Sequence, residues 1–461
     1  MKSSIRSKVR HRTGTLAVCS GVLLAGGIGA GCADAPDDRE PVEFASTEQS
    51  VTVAGDPLPG ITATDFAAAK ANFAAVEGLP DGLGPIFNEK ACGNCHTQGA
   101  IGGAGVQIER RFGRFDNGIF NSLSNEGGSL RQLFTVGAFT GLGGQACNPA
   151  LEHEPADATV HNVGRLTTPL FGAGLIDTIP DSVIIANANA QPLSVRGTVN
   201  NVKVLLPNPA DPTQVLNGTR VGKFGWKAGI AALAQFAADA YVNEMGITTQ
   251  HCIGGTSVTA FANESKPNGI AVPAGCDDQA PPHAAIAGVP ANTDDVVGAC
   301  APGQSELQDD VANFLKFMTF LAPVPRLAID PNVNLQGGTV FNAIGCADCH
   351  LLKDYNTGPN PPNGVPANML FRPRTDFLLH DIGTGDMIGN DGDTLARTKM
   401  MRTAPLWGLH VRTKFMHDGS QTSIVGAINA HGGQAATAAF NFFFGISASD
   451  QNAMLTAMMS D

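Results

Sequence analysis

Apolar residues recur at helical spacing in several separate stretches of this chain. In residues 62–77 the phenylalanines and alanines share one face, and Thr64 is the expected N-cap. Residues 226–246 show the same period and end at Gly246, a residue type that commonly follows the last helical turn. We therefore predict a helix in each stretch.

A third helix is predicted from about residue 305, where an acidic first turn precedes apolar residues at helical spacing. Pro323 and Pro325 follow it, and because proline cannot continue a helix we place a domain boundary at residue 325. Residues 422–430 give a shorter helical pattern. Alternating patterns typical of strands are short and scattered, so the chain is predicted to be mainly α.

Long stretches between these helices have no regular pattern. The chain has 55 glycines in 461 residues, and glycine-rich turns fill residues 98–145. Residues 250–303 are rich in Gly, Pro, Ala and Asn, which predicts a glycine-rich surface insertion between more regular segments. Residues 33–60 are polar and contain prolines, a composition typical of a flexible tether.

The pattern C-x-x-C-H occurs twice, at residues 92–96 and 346–350. It is the attachment signature of a c-type haem, because both thiols face one side of a helical turn and the next histidine is positioned to bind the iron. The attachment residues would be Cys92, Cys95, Cys346 and Cys349, and the iron ligands His96 and His350. A zinc site, the rival interpretation, needs four ligands in one cluster, but these pairs lie in opposite halves of the chain.

Both motifs follow an apolar residue and a Phe-Asn pair, which indicates a local duplication. We therefore predict two cytochrome c-like haem domains with long loops. The first would span residues 61–325, including the insertion at about 250–303, and the second would span residues 326–461.

The first 32 residues have the pattern of an export signal, a basic segment followed by a short apolar one that is too glycine-rich to span a membrane. Cys32 follows Gly-Ala-Gly, which predicts a lipidated N-terminus at Cys32; ordinary cleavage nearby is the alternative. We expect a lipid-anchored protein of the periplasm or outer membrane. Export agrees with the motifs, since c-type haem is attached outside the cytoplasm.

The formal net charge is −12, and no basic stripe is visible, so a nucleic-acid partner is not expected. An acidic surface favours a basic redox partner. Four cysteines remain after the leader and the haem motifs, which predicts two disulfides in an oxidising compartment, or a catalytic dithiol. They are Cys147, Cys252, Cys276 and Cys300, and the pairing of Cys276 with Cys300 is the first guess.

Several further stretches together resemble the bacterial di-haem oxidoreductase family, whose members are often labelled thiol oxidoreductases and are related to di-haem cytochrome c peroxidases. The resemblance covers about residues 80–450. The matching stretches are residues 84–88, 165–172, 223–228, 244–248, 375–381, 402–409, 417–419 and 427–433. The chain departs from the family at Gln434, in the irregular insertion, and in a C-terminal helix that stops early.

The resemblance implies that the second haem has a distal ligand about where the related peroxidases place a methionine, and this position holds His431. We therefore expect His350 and His431 as its axial pair. The alternatives are that His431 only caps its helix, or that another side chain is the ligand. Those side chains are His380, His417 and Met416.

The sequence does not identify the distal ligand of the first haem. The candidates are His153, His161 and an open or water-bound iron. Peroxide reduction also needs an acid/base group there. The available carboxylates are Glu152, Glu154, Asp177 and Asp181.

Two further expectations, for Trp226 and for calcium, follow from the resemblance, and a third follows from the charge of Arg402. Trp226 would carry electrons between the haems, with a core anchor as the alternative, and Arg402 would pair with a haem propionate. Calcium between the domains would also follow, although no loop shows its ligand spacing.

The expected protein is an exported di-haem c-type cytochrome oxidoreductase of peroxidase-like activity. Its second haem would take electrons from a donor protein and relay them to a reactive first haem, where peroxide or another small substrate binds. The alternatives are a non-catalytic electron-transfer cytochrome and a thiol oxidoreductase that uses the spare cysteines or an external thiol.

Overall fold

The computed structural model describes residues 53–138, 149–208, 211–253, 256–259 and 309–461. These residues belong to one compact unit, Arg39–Asp461. The export signal with Cys32, the spare cysteines Cys147, Cys276 and Cys300, and the side chain of Cys252 lie outside the described part. Within that part, no helix is both long and apolar enough to cross a bilayer.

The prediction of a mainly α chain with cytochrome c-like domains is wrong. Among the described residues, 37% are helical and 16% are in strands. They form eleven α-helices and several small antiparallel sheets. The boundary at residue 325 stays a prediction.

The α-helices are short and spread along the described chain. They are α1 Ala63–Phe73, α2 Cys92–Cys95, α3 Ala173–Asp177, α4 Asp181–Ala190, α5 Leu233–Met245, α6 Asp309–Phe320, α7 Pro331–Ala343, α8 Leu395–Thr398, α9 Ile424–Asn429, α10 Ala436–Phe440 and α11 Ala448–Ser460. The predicted helices at 62–77 and 226–246 are present but shorter, and Thr62 rather than Thr64 caps α1 by accepting a hydrogen bond from Asp65 N.

The strands pair only antiparallel. They are β1 Ile86–Phe87, β2 Ile108–Asp116, β3 Ile119–Asn121, β4 Leu130–Arg131, β5 Phe134–Thr135, β6 Val160–Leu166, β7 Asn201–Asn208, β8 Asp211–Val221, β9 Gln250–Ile253, β10 Thr256–Thr259, β11 Tyr355–Asn356, β12 Leu370–Phe371, β13 Leu379–His380 and β14 Met401–Arg402. β2 pairs with β3, β4 and β6, and β7 forms a hairpin with β8.

The largest hydrophobic cluster lies between α1, α5 and α6. Phe73 packs against Phe317 with ring centroids 4.7 Å apart, and the Tyr241 ring stands edge-on to Phe314 at 4.9 Å. The Tyr241 hydroxyl donates to Asp310 at 2.9 Å, which satisfies the phenol at the edge of this core. This cluster supports the first C-x-x-C-H turn, α2.

A smaller cluster lies between α7 and α11 and supports the second motif. Phe341 on α7 and Met454 on α11 are buried in it. The helices approach closely at Gly337, where a Cβ atom would lie only 2.6 Å from the carbonyl oxygen of Ala453. A side chain at Gly337 would therefore force the helices apart.

Candidate haem sites

The second C-x-x-C-H motif is placed by the end of α7. Gly345 follows this helix at a φ of 96°, a conformation that glycine adopts without steric cost, and turns the chain into a short 3₁₀ turn, Cys346–Asp348. The His350 N–H then donates to Cys346 O at 3.0 Å and closes the motif. Both cysteines and His350 line one cavity of about 450 Å³.

His431 lines the same cavity as His350. His350 Nδ1 lies 2.9 Å from Arg374 O, and His431 Nδ1 lies 2.6 Å from Ala427 O. Because a carbonyl only accepts, each Nδ1 carries the hydrogen and each Nε2 keeps its lone pair, the arrangement found in metal-ligating histidines. Burial lowers the pKa of both imidazoles, to about 4 for His350, so both are neutral. His431 therefore caps α9 and still presents a free nitrogen.

The alternative iron ligands differ in the hydrogen bonds that their side chains already make. His380 has both nitrogens engaged: Nε2 lies 2.8 Å from the Asp376 carboxylate, and Nδ1 lies 3.8 Å from Cys349 Sγ. His417 and Met416 line the cavity as well, and His417 Nδ1 has no hydrogen-bond partner among the described residues. His380 is thus the least suited of the three to bind iron.

Cys349, Asp376 and His380 form the one group of three potential metal-ligating residues within 4.8 Å of each other in the described ranges. Thiol and imidazole do not suit calcium, which binds oxygen ligands. Calcium stays an untested prediction.

Two arginines in the cavity wall have no carboxylate hydrogen-bonded to them among the described residues. Arg402 donates to the carbonyl oxygens of Gly225 and Thr403, and burial lowers its pKa to about 10. Arg412 Nε has no partner, and burial lowers its pKa to about 10 as well. Two thiols, two neutral imidazoles, an apolar wall and two guanidinium groups without a hydrogen-bonded carboxylate fit a haem with its two propionates.

The first C-x-x-C-H motif forms α2, a single helical turn against the larger core. Its Cys92 Sγ lies 4.0 Å from Met245 Sδ, and the Phe73 ring lies 5.9 Å from the His96 ring. His96 Nδ1 donates to Gly103 O at 3.0 Å, and because a carbonyl only accepts, Nδ1 carries the hydrogen. Burial lowers the pKa of His96 to about 4, so this imidazole is also neutral.

Partly buried carboxyl groups lie beside the first motif. Glu244, half-buried near the end of α5, accepts from Asn88 Nδ2 at 2.8 Å and contributes electrostatically at both Cys92 and Cys95. Burial and the neighbouring Glu109 raise the pKa of Glu244. Glu109 remains ionised because Arg111, whose Nε lies 2.6 Å away, lowers its pKa. The pair therefore joins a protonated carboxyl to a carboxylate.

Glu152 is connected to this pair through hydrogen bonds. Gln132 N donates to the Glu152 carboxylate at 2.5 Å, while the Gln132 amide donates to the backbone of Asn243, next to Glu244. Asn88, the partner of Glu244, accepts from Leu133 N at 3.1 Å. Glu152 is only 3% exposed, and burial raises its pKa to about 8.

The other predicted acid/base residues have structural partners. Asp177 accepts from Leu233 N at the start of α5, and Asp181 forms a bidentate pair with Arg220 at 2.8 and 2.9 Å. Glu154 lies 3.0 Å from His161 Nδ1 at the surface. His161 and His153 are both exposed, so neither has the burial expected of a distal iron ligand.

Trp226 lines the cavity of the second motif and also a small one of about 40 Å³ that Thr168 helps to enclose. Its Nε1 donates to Leu166 O at 2.8 Å, two residues before Thr168, and its ring lies 6.4 Å from the His417 ring. The backbone of Thr168 also contributes electrostatically at His96. Trp226 is therefore a buried core residue that adjoins the large cavity and the segment leading to Thr168.

The sequence alone did not indicate Glu109, Glu244 or Arg412 as site residues. Glu244 lies in a stretch that resembles the family, but nothing in its neighbours signals a carboxyl pair. Glu109 lies on β2, inside the stretch predicted as glycine-rich turns. No local motif marks Arg412.

Two separate C-x-x-C-H turns, one opening into a cavity with two imidazoles, define a di-haem class of protein. The family model described as "Di-haem oxidoreductase, putative peroxidase" matches residues 151–461, more than half of the chain. The chain therefore belongs to the di-haem oxidoreductase family and is a haem-dependent oxidoreductase, which confirms the resemblance. The match includes the second motif, whereas residues 92–96 precede it. No curated protein and no solved structure matches the chain significantly.

Proposed function

We propose that this chain is an exported di-haem c-type oxidoreductase that reduces hydrogen peroxide with electrons from a donor protein. The observation that carries the proposal is the asymmetry between the two motifs. The second shares its cavity with an imidazole that fits as a distal ligand, whereas the first lies beside a network of partly buried carboxyl groups. Both haems would be attached covalently, through Cys92 and Cys95 and through Cys346 and Cys349.

Haem iron, when bound, supplies the one-electron chemistry that peroxide reduction requires. Reduction of one peroxide to two waters also consumes two protons. Glu244 holds a proton at neutral pH because its pKa is raised, and Glu152 has a raised pKa of about 8 in the same hydrogen-bond network. We assign Glu244 as the acid/base group and Glu152 as a second carboxyl nearby that holds a proton at neutral pH.

Electrons would cross between the sites through Trp226, which adjoins the cavity of His350 and the segment leading to Thr168, whose backbone contributes electrostatically at His96. The donor is expected to be a redox protein with a basic surface, in keeping with the formal charge of −12. The leader pattern supports export to the periplasm or outer membrane, with a lipid on Cys32 as the anchor.

Steady-state peroxide consumption with a reduced haem protein as donor tests the acid/base assignment. We expect Glu244→Gln to lower kcat by on the order of 10²-fold, the usual contribution of a positioned acid/base group, with both haems retained. Glu154→Gln, at the surface beside His161, is the matched control and should leave kcat unchanged. Equal kcat values in Glu244→Gln and wild type would refute the role of Glu244. A wild-type holoprotein that consumes no peroxide would refute the function itself and favour a non-catalytic electron carrier.

A further inference from the structure

Arg412 is a cation in the cavity wall without an anion to match it. Its Nε is buried without a hydrogen-bond partner, and its Cζ lies over the Phe415 ring, 5.6 Å from the ring centroid. Among the described residues no carboxylate pairs with it. A buried Nε–H without an acceptor is unfavourable, so an anionic group that enters the cavity gains by binding this partly buried guanidinium.

The position of Arg412 distinguishes it from Arg402. Arg402 uses its Nε and one terminal nitrogen on the carbonyl oxygens of Gly225 and Thr403. Arg412 has no such bonds from its side chain among the described residues, yet it lines both the large cavity and the small one. The Arg412 side chain therefore has more unused hydrogen-bond donors than the Arg402 side chain.

The backbone beside Arg412 is fixed to the loop of the first motif. Thr413 N donates to Gln98 Oε1 at 2.9 Å, and Gln98 Nε2 donates back to Thr413 Oγ1 at 3.0 Å. On the other side, Val411 packs on Gly99, whose φ is +86° and whose Cβ atom would lie 2.9 Å from Val411 Cγ2. Gln98 and Gly99 closely follow His96, so Arg412 connects the first haem loop with the cavity of the second.

We propose that Arg412 binds a propionate of the second haem and, through its fixed position between the two motifs, sets the redox potential of that haem. This inference rests on the proposed haem in the cavity of His350 and His431. A guanidinium close to the iron disfavours the more positive ferric state, so it raises the potential. It also keeps the propionate ionised, because an opposite charge favours the charged form of a carboxyl group.

A spectroelectrochemical titration of the holoprotein, without peroxide, tests this role. Arg412→Gln should raise the ferric-to-ferrous ratio of the second haem about tenfold at a fixed applied potential, a shift of about 59 mV for a one-electron couple. The potential should also become dependent on pH, as the released propionate takes up a proton on reduction. Arg412→Lys keeps the charge and should restore most of the wild-type potential.

Lys414→Gln is the matched control, since it removes one positive charge from the same segment while its side chain does not line the large cavity. It should leave the potential unchanged. Unaltered potential and pH profile in Arg412→Gln, with both haems present, would overturn the proposal. If Arg412→Gln fails to fold, Arg412→Ala, which also removes the charge, takes its place. A lowered and pH-dependent potential in that variant supports the proposal, and a potential and pH profile equal to those of Lys414→Gln overturn it. Because the titration uses no peroxide, the measured potential does not depend on whether the protein has peroxidase activity.

Discussion

Single hydrogen bonds decide which histidines can bind iron. His350 and His431 each donate from Nδ1 to a carbonyl oxygen, whereas His380 has both nitrogens engaged by Asp376 and Cys349. The sequence located His350 and His431 because one belongs to a local motif and the other follows a recognisable helix. The contacts of His380 arise only because the fold brings β13 next to the second C-x-x-C-H motif. Local sequence does not specify that arrangement.

His431→Met tests the distal assignment at the second haem. Exchange of an imidazole for a thioether should raise the potential of this haem and change its low-spin spectrum, while His431→Ala should leave it high-spin. Visible and electron paramagnetic resonance spectra of the ferric protein give the answer. His161→Met, at an exposed position beside Glu154, is the control. An unchanged low-spin spectrum in His431→Met would show that another residue is the ligand.

Glu244 makes stability depend on pH in a defined direction. Its pKa is raised above 4.5 in the folded chain, chiefly by burial and then by Glu109, so the folded state binds more protons than the unfolded state just above pH 4.5. The free energy of unfolding should therefore fall as the pH rises through this window, and Glu244→Gln should flatten the slope. Urea midpoints from pH 4 to 8 measure it. A slope as steep in Glu244→Gln as in wild type would contradict the assignment.

At the scale of elements, the sequence-based prediction missed the sheet around β2. Charged residues alternate poorly with apolar ones in this strand, and glycines on both sides indicate turns rather than pairing. Its end pairs locally with β3, but most of its hydrogen bonds go to β4 and β6, which are distant in sequence, so that pairing depends on tertiary contacts. The helices were easier to predict because their periodicity is local.

The crossing of α7 and α11 gives a prediction at this scale. Gly337→Val should destabilise the chain by about 1–3 kcal/mol, because its Cβ would lie 2.6 Å from Ala453 O. Gly229→Ala is the control, since a Cβ there meets nothing within 4 Å. Denaturant midpoints of both variants and wild type check this. Equal midpoints for Gly337→Val and wild type would mean that the helices do not cross so closely.

At the scale of the whole molecule, a buried ion cluster joins distant parts of the chain. The Asp386 side chain is 1% exposed and lies 2.6 Å from Arg165 Nε and 2.8 Å from Lys227 Nζ. These cations hold the pKa of Asp386 far below its usual range. Arg165 and Asp386 lie more than 200 residues apart in the sequence, which is why no local pattern could predict their contact.

Asp386→Asn should destabilise the folded chain by roughly 3–5 kcal/mol, because it leaves two buried cations without their carboxylate. Asp116→Asn, which removes an exposed and solvent-screened partner of Arg114, should lower the stability far less. Calorimetric unfolding at pH 7 compares the two. Similar losses of stability in both variants would contradict the view that the Asp386 cluster holds distant segments together.

Export is a second proposal about the whole chain. Cys32→Ser should abolish incorporation of a labelled fatty acid and release the mature protein from membrane fractions. Cys19→Ser, inside the predicted leader, is the control. Persistent labelling of Cys32→Ser would place the lipid elsewhere, or point to a different mode of attachment.

The central claim is that the two haem sites are unequal, with a reactive iron at His96 and a six-coordinate iron between His350 and His431. Electron paramagnetic resonance of the fully ferric holoprotein, before and after one equivalent of hydrogen peroxide, tests it most directly. We expect one high-spin and one low-spin signal, with the high-spin signal altered by peroxide. Two low-spin haems that ignore peroxide in both redox states would contradict the account.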